Sequence, residues 1–244
     1  MSGRYNGMQQ KNLDKKQFAI YVPCAAHSLN LVGRSAVDCC QEAVNFFSTV
    51  QLVYNFFSAS TWRWKILKDC IKNENVLKSL SDTRWEAHAL ATSAMLKSFL
   101  EILQALDCVS EDQSQKGDSG REANIIFDKM QELEFVFMLH FWNDILQNFR
   151  RVSKVLQNED ANIKTCSTLY LSLADQLSIS RGQFEKYEVL AKEILLDVDY
   201  RAVKTRKRVR KKMHNDGDSP ELYPNARDNF RISTYYAIID VLAN

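Results

Sequence analysis

The sequence is poor in the residues that interrupt helices. Its 244 residues include only 7 glycines and 3 prolines, although 45% of the residues are hydrophobic. A β-sandwich or barrel needs many tight turns, and those turns depend on glycine and proline. The scarcity therefore argues against a turn-rich β fold and favours long helices. The hydrophobic fraction is large enough to bury a core in one or two domains.

The sequence also lacks the marks of secretion and of membrane insertion. Residues 1–17 are polar and include Lys11, Lys15 and Lys16, so they do not resemble a secretory signal. No run approaches ~18 consecutive apolar residues, and we expect no membrane partner. The 6 cysteines form no C-x-x-C pair, and reduced thiols in a nuclear or cytosolic protein are the simplest interpretation.

Net charge gives little indication of a partner, but its distribution does. The 32 basic and 30 acidic residues nearly cancel, whereas residues 201–212 carry eight basic residues and no acid. Such a run is typical of a nuclear-import signal or a phosphate-binding segment. The alternative is a solvated linker that repels itself. We expect a nuclear protein whose basic DNA contacts include Arg206, Lys207, Arg208, Arg210, Lys211 and Lys212.

The spacing of apolar residues predicts one short strand followed by helices. Residues 18–23, Phe-Ala-Ile-Tyr-Val-Pro, are typical of a short buried strand that ends at proline. A long helix is predicted from about residue 29 to 57, and a short one from Trp64 to Cys70. A helix beginning at Thr83 continues past Leu106. Further helical segments are predicted at about 122–157, 162–178, 182–200 and from 226 onward. The predicted core includes Phe47, Val50, Tyr54, Leu96, Phe99, Phe137, Phe141 and Ile145.

Cys24 and His27 have the spacing of half a zinc site. No second pair completes four ligands, because Cys39 and Cys40 lie more than three turns away on the same predicted helix. A cysteine nucleophile would need an orienting third group, and none is apparent. We interpret Cys24 and His27 as a structural motif at a strand-to-helix junction, with no metal and no cofactor.

Arg84 and Trp85 lie in the first turn of the helix that begins at Thr83, where Thr83 and Glu86 fit a capping box. Two interpretations stay open. The indole can anchor the helix to a core, or it can stack on an unpaired base while the guanidinium binds the neighbouring phosphate. The pair Arg63 and Trp64 repeats this chemistry more weakly. We count all four residues as candidate DNA contacts.

Catalytic motifs are missing. The candidate acids lie on or beside predicted helices, and none ends a hydrophobic strand as a metal-binding acid of a nuclease core would; they are Asp82, Asp107, Asp128, Asp144, Asp160 and Asp197. There is no glycine-rich phosphate loop and no Gly-x-Ser-x-Gly. We therefore expect no catalytic residue and no enzyme activity.

Several segments, in their order, resemble hAT-family DNA transposases. The segment Ser81–Trp85 matches the family's Ser-x-Thr-Arg-Trp, and Cys24–Val32 matches a segment upstream of it. Residues 1–9, 134–146 and 151–157 are similar as well. The resemblance covers essentially the whole chain. It points to the branch found in zinc-finger MYM-type and TTF-type zinc-finger proteins, many of them derived from transposable elements.

The resemblance implies an RNase H-like core interrupted by a large all-helical insertion domain. The mainly α chain would contain a truncated core segment with a short strand at residues 1–34, a helical insertion at 35–216, and a return segment at 217–244. In the family, two Asp and one Glu hold two divalent metals for strand transfer, and none of these acids maps onto a residue here. The family's Arg-Trp, here Arg84 and Trp85, handles the transposon end.

The resemblance leads to three hypotheses about function. The first is a non-catalytic fragment of a hAT transposase-like protein that binds DNA weakly, in the manner of a transposon end. The second is the truncated record of an active transposase. Under either of these two hypotheses, homo-oligomers are expected only of the full-length parent. The third is a helical protein-interaction scaffold that no longer binds DNA. Salt-dependent DNA binding separates the first two from the third.

Overall fold

The computed structural model describes residues 8–16, 18, 23–71, 76–81, 85–112, 117–158, 162–201 and 225–243. All regular structure within these ranges is helical, which confirms the mainly α class. The predicted strand lies largely outside them. Of its residues, Phe18 is in a turn and 96% exposed, so the burial predicted for it is wrong. No strand of an RNase H-like core is seen among the described residues.

The described residues form a series of helices in the following order. They are α1 (Met8–Lys15), α2 (Ala25–Val37), α3 (Gln41–Ser58), α4 (Thr61–Cys70), α5 (Trp85–Lys97), α6 (Phe99–Glu111), α7 (Gly117–Met130), α8 (Leu133–Leu156), α9 (Ile163–Arg181), α10 (Phe184–Ile194), α11 (Ala226–Phe230), a π-helix (Arg231–Tyr236) and α12 (Ala237–Ala243). Asparagine side chains begin two of them: Asn162 accepts from the Thr165 amide at 2.9 Å, and Asn225 accepts from the Asp228 amide at 2.7 Å.

Three helices predicted as continuous are broken. The predicted helix from residue 29 to 57 divides into α2 and α3, because Cys40 takes an extended conformation with φ −149° and ψ 154°. Ser98 separates α5 from α6, which are bent by 75° relative to each other. Glu132 is extended and separates α7 from α8. Both members of each pair bury a face in the same core, so the apolar spacing continues across the break and hides it.

The longest helix, α8, lies at the centre of the fold. Its 24 residues bury side chains on several faces. α5 runs antiparallel along it, since Arg150 of α8 contacts Glu86 and Gln147 contacts the carbonyl of Ala89. Six of the eight predicted core residues are buried, which confirms them, whereas Tyr54 and Leu96 are half-buried.

An aromatic cluster joins α8, α10, α11 and the π-helix. The Phe137 ring lies 4.9 Å from that of Phe184, 5.2 Å from that of Phe230 and 5.7 Å from that of Tyr235. The fully buried Tyr235 hydroxyl donates to the carbonyl of Ser180 at the end of α9. Packing of several rings in this way contributes more than apolar area alone. It ties the last described helices to the centre of the molecule.

The first and last parts of the described chain share one core. α12 packs against α2 and α9, and the core cluster includes Leu29 and Leu242. α2 runs continuously through residues 34 and 35, where the sequence predicts a domain boundary. The boundaries at residues 34 and 216 stay predictions, and the second lies outside the described residues.

Candidate site at the junction of helices α2, α5 and α8

Trp85 is the first residue of α5 and lies against the backbone of α2. Its indole Nε1 donates to the carbonyl oxygen of Asn30 at 2.7 Å. Gly33 allows this approach, because a Cβ at that position would lie 2.6 Å from Cε2 of the indole. The contact joins the two segments that carry the family resemblance, Cys24–Val32 and Ser81–Trp85.

The indole ring is enclosed by other rings. It stacks on His88, with centroids 4.4 Å apart and an interplanar angle of 28°, and on Trp142, at 6.5 Å and 24°. Phe47 meets it edge-on at 6.2 Å. Trp85 is only 8% exposed. Because a base needs an exposed ring face for stacking, this burial supports the first of the two roles considered for Trp85, that of an anchor for α5.

One ion pair lies beside this anchor. The Arg150 Nε lies 3.1 Å from Oε1 of Glu86, which is in the first turn of α5. An acid there interacts favourably with the positive end of the helix dipole. Arg150 is thus already paired, whereas Arg151 and Lys154 of the same helix end are exposed. Arg84 and the capping box predicted at Thr83 lie outside the described residues.

Arg63 and Trp64 are also engaged within the protein. The Arg63 guanidinium lies 4.3 Å over the ring of Phe56 and 3.6 Å from Oε2 of Glu122. Its side chain is only 14% exposed. Trp64 meets Tyr54 edge-on at 6.1 Å. These contacts join α4 to α3 and α7, so they support a structural role for this pair.

Cys24 and His27 are exposed at the start of α2. The carbonyl of Cys24 accepts from the amide of Ser28 at 3.0 Å and from its hydroxyl at 3.2 Å. The Tyr170 hydroxyl of α9 donates to the carbonyl of Ala25 at 2.6 Å, which fixes this end of the helix. The described residues contain no group of three or more His, Cys, Asp and Glu that could hold a metal ion.

Cys39 and Cys40 lie in surroundings that disfavour the thiolate. All six are free thiols. Burial raises the pKa of Cys39 to about 12, helped by the adjacent Cys40, and burial also raises the pKa of Cys40. A thiol in that state is neutral near pH 7 and is neither a ready nucleophile nor a ready metal ligand.

The basic run predicted to bind DNA lies outside the described residues. This applies to Arg206, Lys207, Arg208, Arg210, Lys211 and Lys212. The last described residue before it is Arg201, whose Nη1 lies 2.8 Å from Oε1 of Glu132. The assignment of these six residues to DNA stays a prediction.

Gly33 is the residue of this junction that sequence reasoning missed. A signal for it was present, because an isolated glycine within a helical pattern often marks a close approach of another element. The sequence did not show which side chain approaches. Asn30 contributes through its backbone carbonyl, and no property of its side chain predicts that contact.

No protein-family model matches the chain, and no solved structure matches it. The resemblance to hAT transposases stays a prediction from the sequence motifs.

Within the residues that the structure describes, no single helix is long and apolar enough to cross a membrane. α5 and α6 reach that apolar length only together, as a bent pair.

Proposed function

We propose that this chain is a non-catalytic, hAT-transposase-like protein with a residual nucleic-acid-binding surface on a helical scaffold. The observation that carries the proposal is the contact between Trp85 and the backbone of Asn30. The two segments that resemble the family are separated by about fifty residues, yet they meet at one packed junction. A resemblance that falls on mutually dependent positions supports a shared fold better than scattered matches would.

The proposal divides the Arg-Trp pair into two roles. Trp85 holds the first turn of α5 against α2, and Arg84 precedes it directly in the sequence. The free amide groups at a helix N-terminus favour a phosphate, and an adjacent arginine adds charge-assisted hydrogen bonds. We therefore assign phosphate contact to Arg84 and to the basic run at residues 204–212. Base stacking is not assigned to Trp85.

The absence of catalysis is part of the proposal. Strand transfer of the RNase H-like type needs carboxylates that hold two divalent metal ions about 4 Å apart. The family's three acids have no counterpart in this sequence.

The scaffold hypothesis is favoured by one further observation, the engagement of Arg63 with Phe56 and Glu122. It predicts that DNA binding is absent.

The test is the salt dependence of DNA binding, measured by fluorescence anisotropy of a labelled hairpin. Each phosphate neutralised contributes about 0.9 to the slope of log K against log salt for duplex DNA. Neutralising Arg206, Lys207, Arg208, Arg210, Lys211 and Lys212 together should flatten the slope strongly. A control variant that neutralises six exposed lysines elsewhere should change it less; these are Lys65, Lys68, Lys78, Lys97, Lys129 and Lys164. Equal slopes in both variants, or no binding by the parent protein, would reject the proposal.

A further inference from the structure

A cavity of about 810 Å³ lies between α3, α7, the start of α8 and the π-helix. Its wall combines aromatic rings with carboxylates. The rings of Phe46 and Phe135 have centroids 5.3 Å apart, and Phe230 lines the cavity as well. Four acids face two bases on the wall: Glu42, Asp128, Glu132 and Glu134 against Lys129 and Arg201. The excess of acids disfavours an anionic ligand.

Two buried polar atoms of the lining residues have no hydrogen-bond partner. Thr234 is 0% exposed, and its hydroxyl makes no hydrogen bond. Glu134 uses Oε1 to accept from the Arg201 amide at 2.6 Å, whereas its Oε2 is buried without a partner. Buried polar atoms in folded proteins are nearly always hydrogen-bonded. A carboxylate oxygen only accepts, so the missing partner at Glu134 is a hydrogen-bond donor.

The unpartnered hydroxyl of Thr234 lies in an unusual helical segment. It lies in the π-helix, and such segments are frequent at functional sites. The neighbouring Ser233 hydroxyl donates to the carbonyl of Asn229 at 2.6 Å, which is the usual solution for a hydroxyl within a helix. Thr234 does not use this solution, and it is one of the residues that line the cavity.

We propose that this cavity binds an alkylammonium or alkylguanidinium group, carried by a small organic amine or by a lysine or arginine side chain. The cation would donate to Glu134 and Thr234, and its apolar stem would lie along the phenylalanine rings. Cations are attracted to the faces of such rings. The rim already accommodates a guanidinium, because Arg201 bonds to Glu132 there at 2.8 Å. This site is separate from the proposed DNA contacts.

The test uses titration calorimetry with n-butylguanidinium and with its neutral isostere n-butylurea. We expect the cation to bind and the urea to bind at least about tenfold more weakly, because a hydrogen bond to a charged group is worth about that factor. Nα-acetylarginine methylamide serves as the second arm. Its binding at similar affinity assigns the site to a peptide side chain, and binding of n-butylguanidinium alone assigns it to a small amine.

Two variants test the assigned contacts. Glu134→Gln keeps an acceptor for the Arg201 amide but removes the charge, and Thr234→Val removes only the hydroxyl. Each should weaken n-butylguanidinium by about tenfold, while the matched control Glu193→Gln, at an exposed position of α10, should change the affinity less than about twofold. Melting curves confirm that each variant is folded. The proposal is overturned if n-butylurea binds equally well, if neither contact variant changes the affinity, or if neither cation binds at millimolar concentration.

Discussion

Among single residues, Trp85 decides between a DNA-contacting and a structural role for the start of α5. An aromatic-basic pair at a helix start is compatible with DNA recognition and with core anchoring, and the sequence alone does not separate them. The structure places the indole against Gly33, His88 and Trp142, with its only donor bonded to Asn30. A satisfied donor and enclosing rings are the properties of a core tryptophan.

Removing the indole should therefore lower stability. We expect Trp85→Ala to lower the free energy of unfolding by about 3–5 kcal/mol, because it leaves a cavity under α2. Trp85→Phe should cost less, about 1–3 kcal/mol, since a ring remains and the hydrogen bond to Asn30 is lost. Urea denaturation followed by circular dichroism measures both values. Unchanged stability in Trp85→Ala would show that the indole is not an anchor.

The close approach at Gly33 gives a second test of the same contact. A methyl group at this position would lie 2.6 Å from Cε2 of the Trp85 indole, whose ring packs against His88, Trp142 and Phe47. Gly33→Ala should therefore destabilise the protein by roughly 1–3 kcal/mol despite the higher helix propensity of alanine. Gly182→Ala is the control, because the new Cβ would meet only the Ile179 carbonyl oxygen, at 3.6 Å. Thermal melts in which Gly33→Ala is as stable as the control would contradict this packing.

At the scale of helices, an ion pair joins α10 to α11. Arg227 donates to both carboxylate oxygens of Glu188, from Nε at 2.8 Å to Oε1 and from Nη2 at 2.7 Å to Oε2. Glu188 is 7% exposed. Hydrogen bonds from Arg227 lower the pKa of Glu188 against the opposing effect of burial, and Lys192 adds to the lowering. The pair holds the short helix α11 in place beside the aromatic cluster.

The lowered pKa of Glu188 makes the free energy of unfolding depend on pH in a defined direction. A carboxylate whose pKa is lower in the folded state stabilises the protein above its unfolded pKa, about 4.3, and loses this contribution as pH falls through its folded pKa. Glu188→Gln should cost about 1–3 kcal/mol at pH 7, because Arg227 loses the charged partner to which it donates two hydrogen bonds. The difference from the parent protein should shrink below about pH 4. Urea denaturation of the parent protein and of Glu188→Gln, at pH 7 and below about pH 4, measures this difference in the free energy of unfolding. The exposed Glu193→Gln is the control. A difference that does not change with pH would contradict the role of ionised Glu188.

The helical class and most helix positions were predictable from the sequence, because apolar spacing reports which residues face a core. The breaks at Cys40, Ser98 and Glu132 were not, since helices on either side of a break face the same core. The π-helix and the cavity beside it depend on contacts between distant segments, which no local pattern contains. The burial of Trp85 was undecided for the same reason: its partner, Gly33, is about fifty residues away.

At the scale of the whole molecule, the described helices form one packed core. We expect no nuclease or strand-transfer activity with Mg²⁺ or Mn²⁺, because no set of strand-end carboxylates is found in the sequence. Incubation of purified protein with end-labelled duplex and hairpin DNA tests this. Metal-dependent cleavage that disappears on substitution of an aspartate would establish an active enzyme instead.

The most direct test measures hairpin and duplex binding for Arg84→Ala and Trp85→Leu at a temperature where melting curves show both to be folded. Leucine keeps an apolar side chain in the core but cannot stack on a base. We expect Arg84→Ala to weaken binding to both DNA forms, and Trp85→Leu to leave the ratio of hairpin to duplex affinity unchanged. If folded Trp85→Leu instead loses about 1–3 kcal/mol of hairpin binding selectively, the indole stacks on DNA and its role as a buried anchor is wrong.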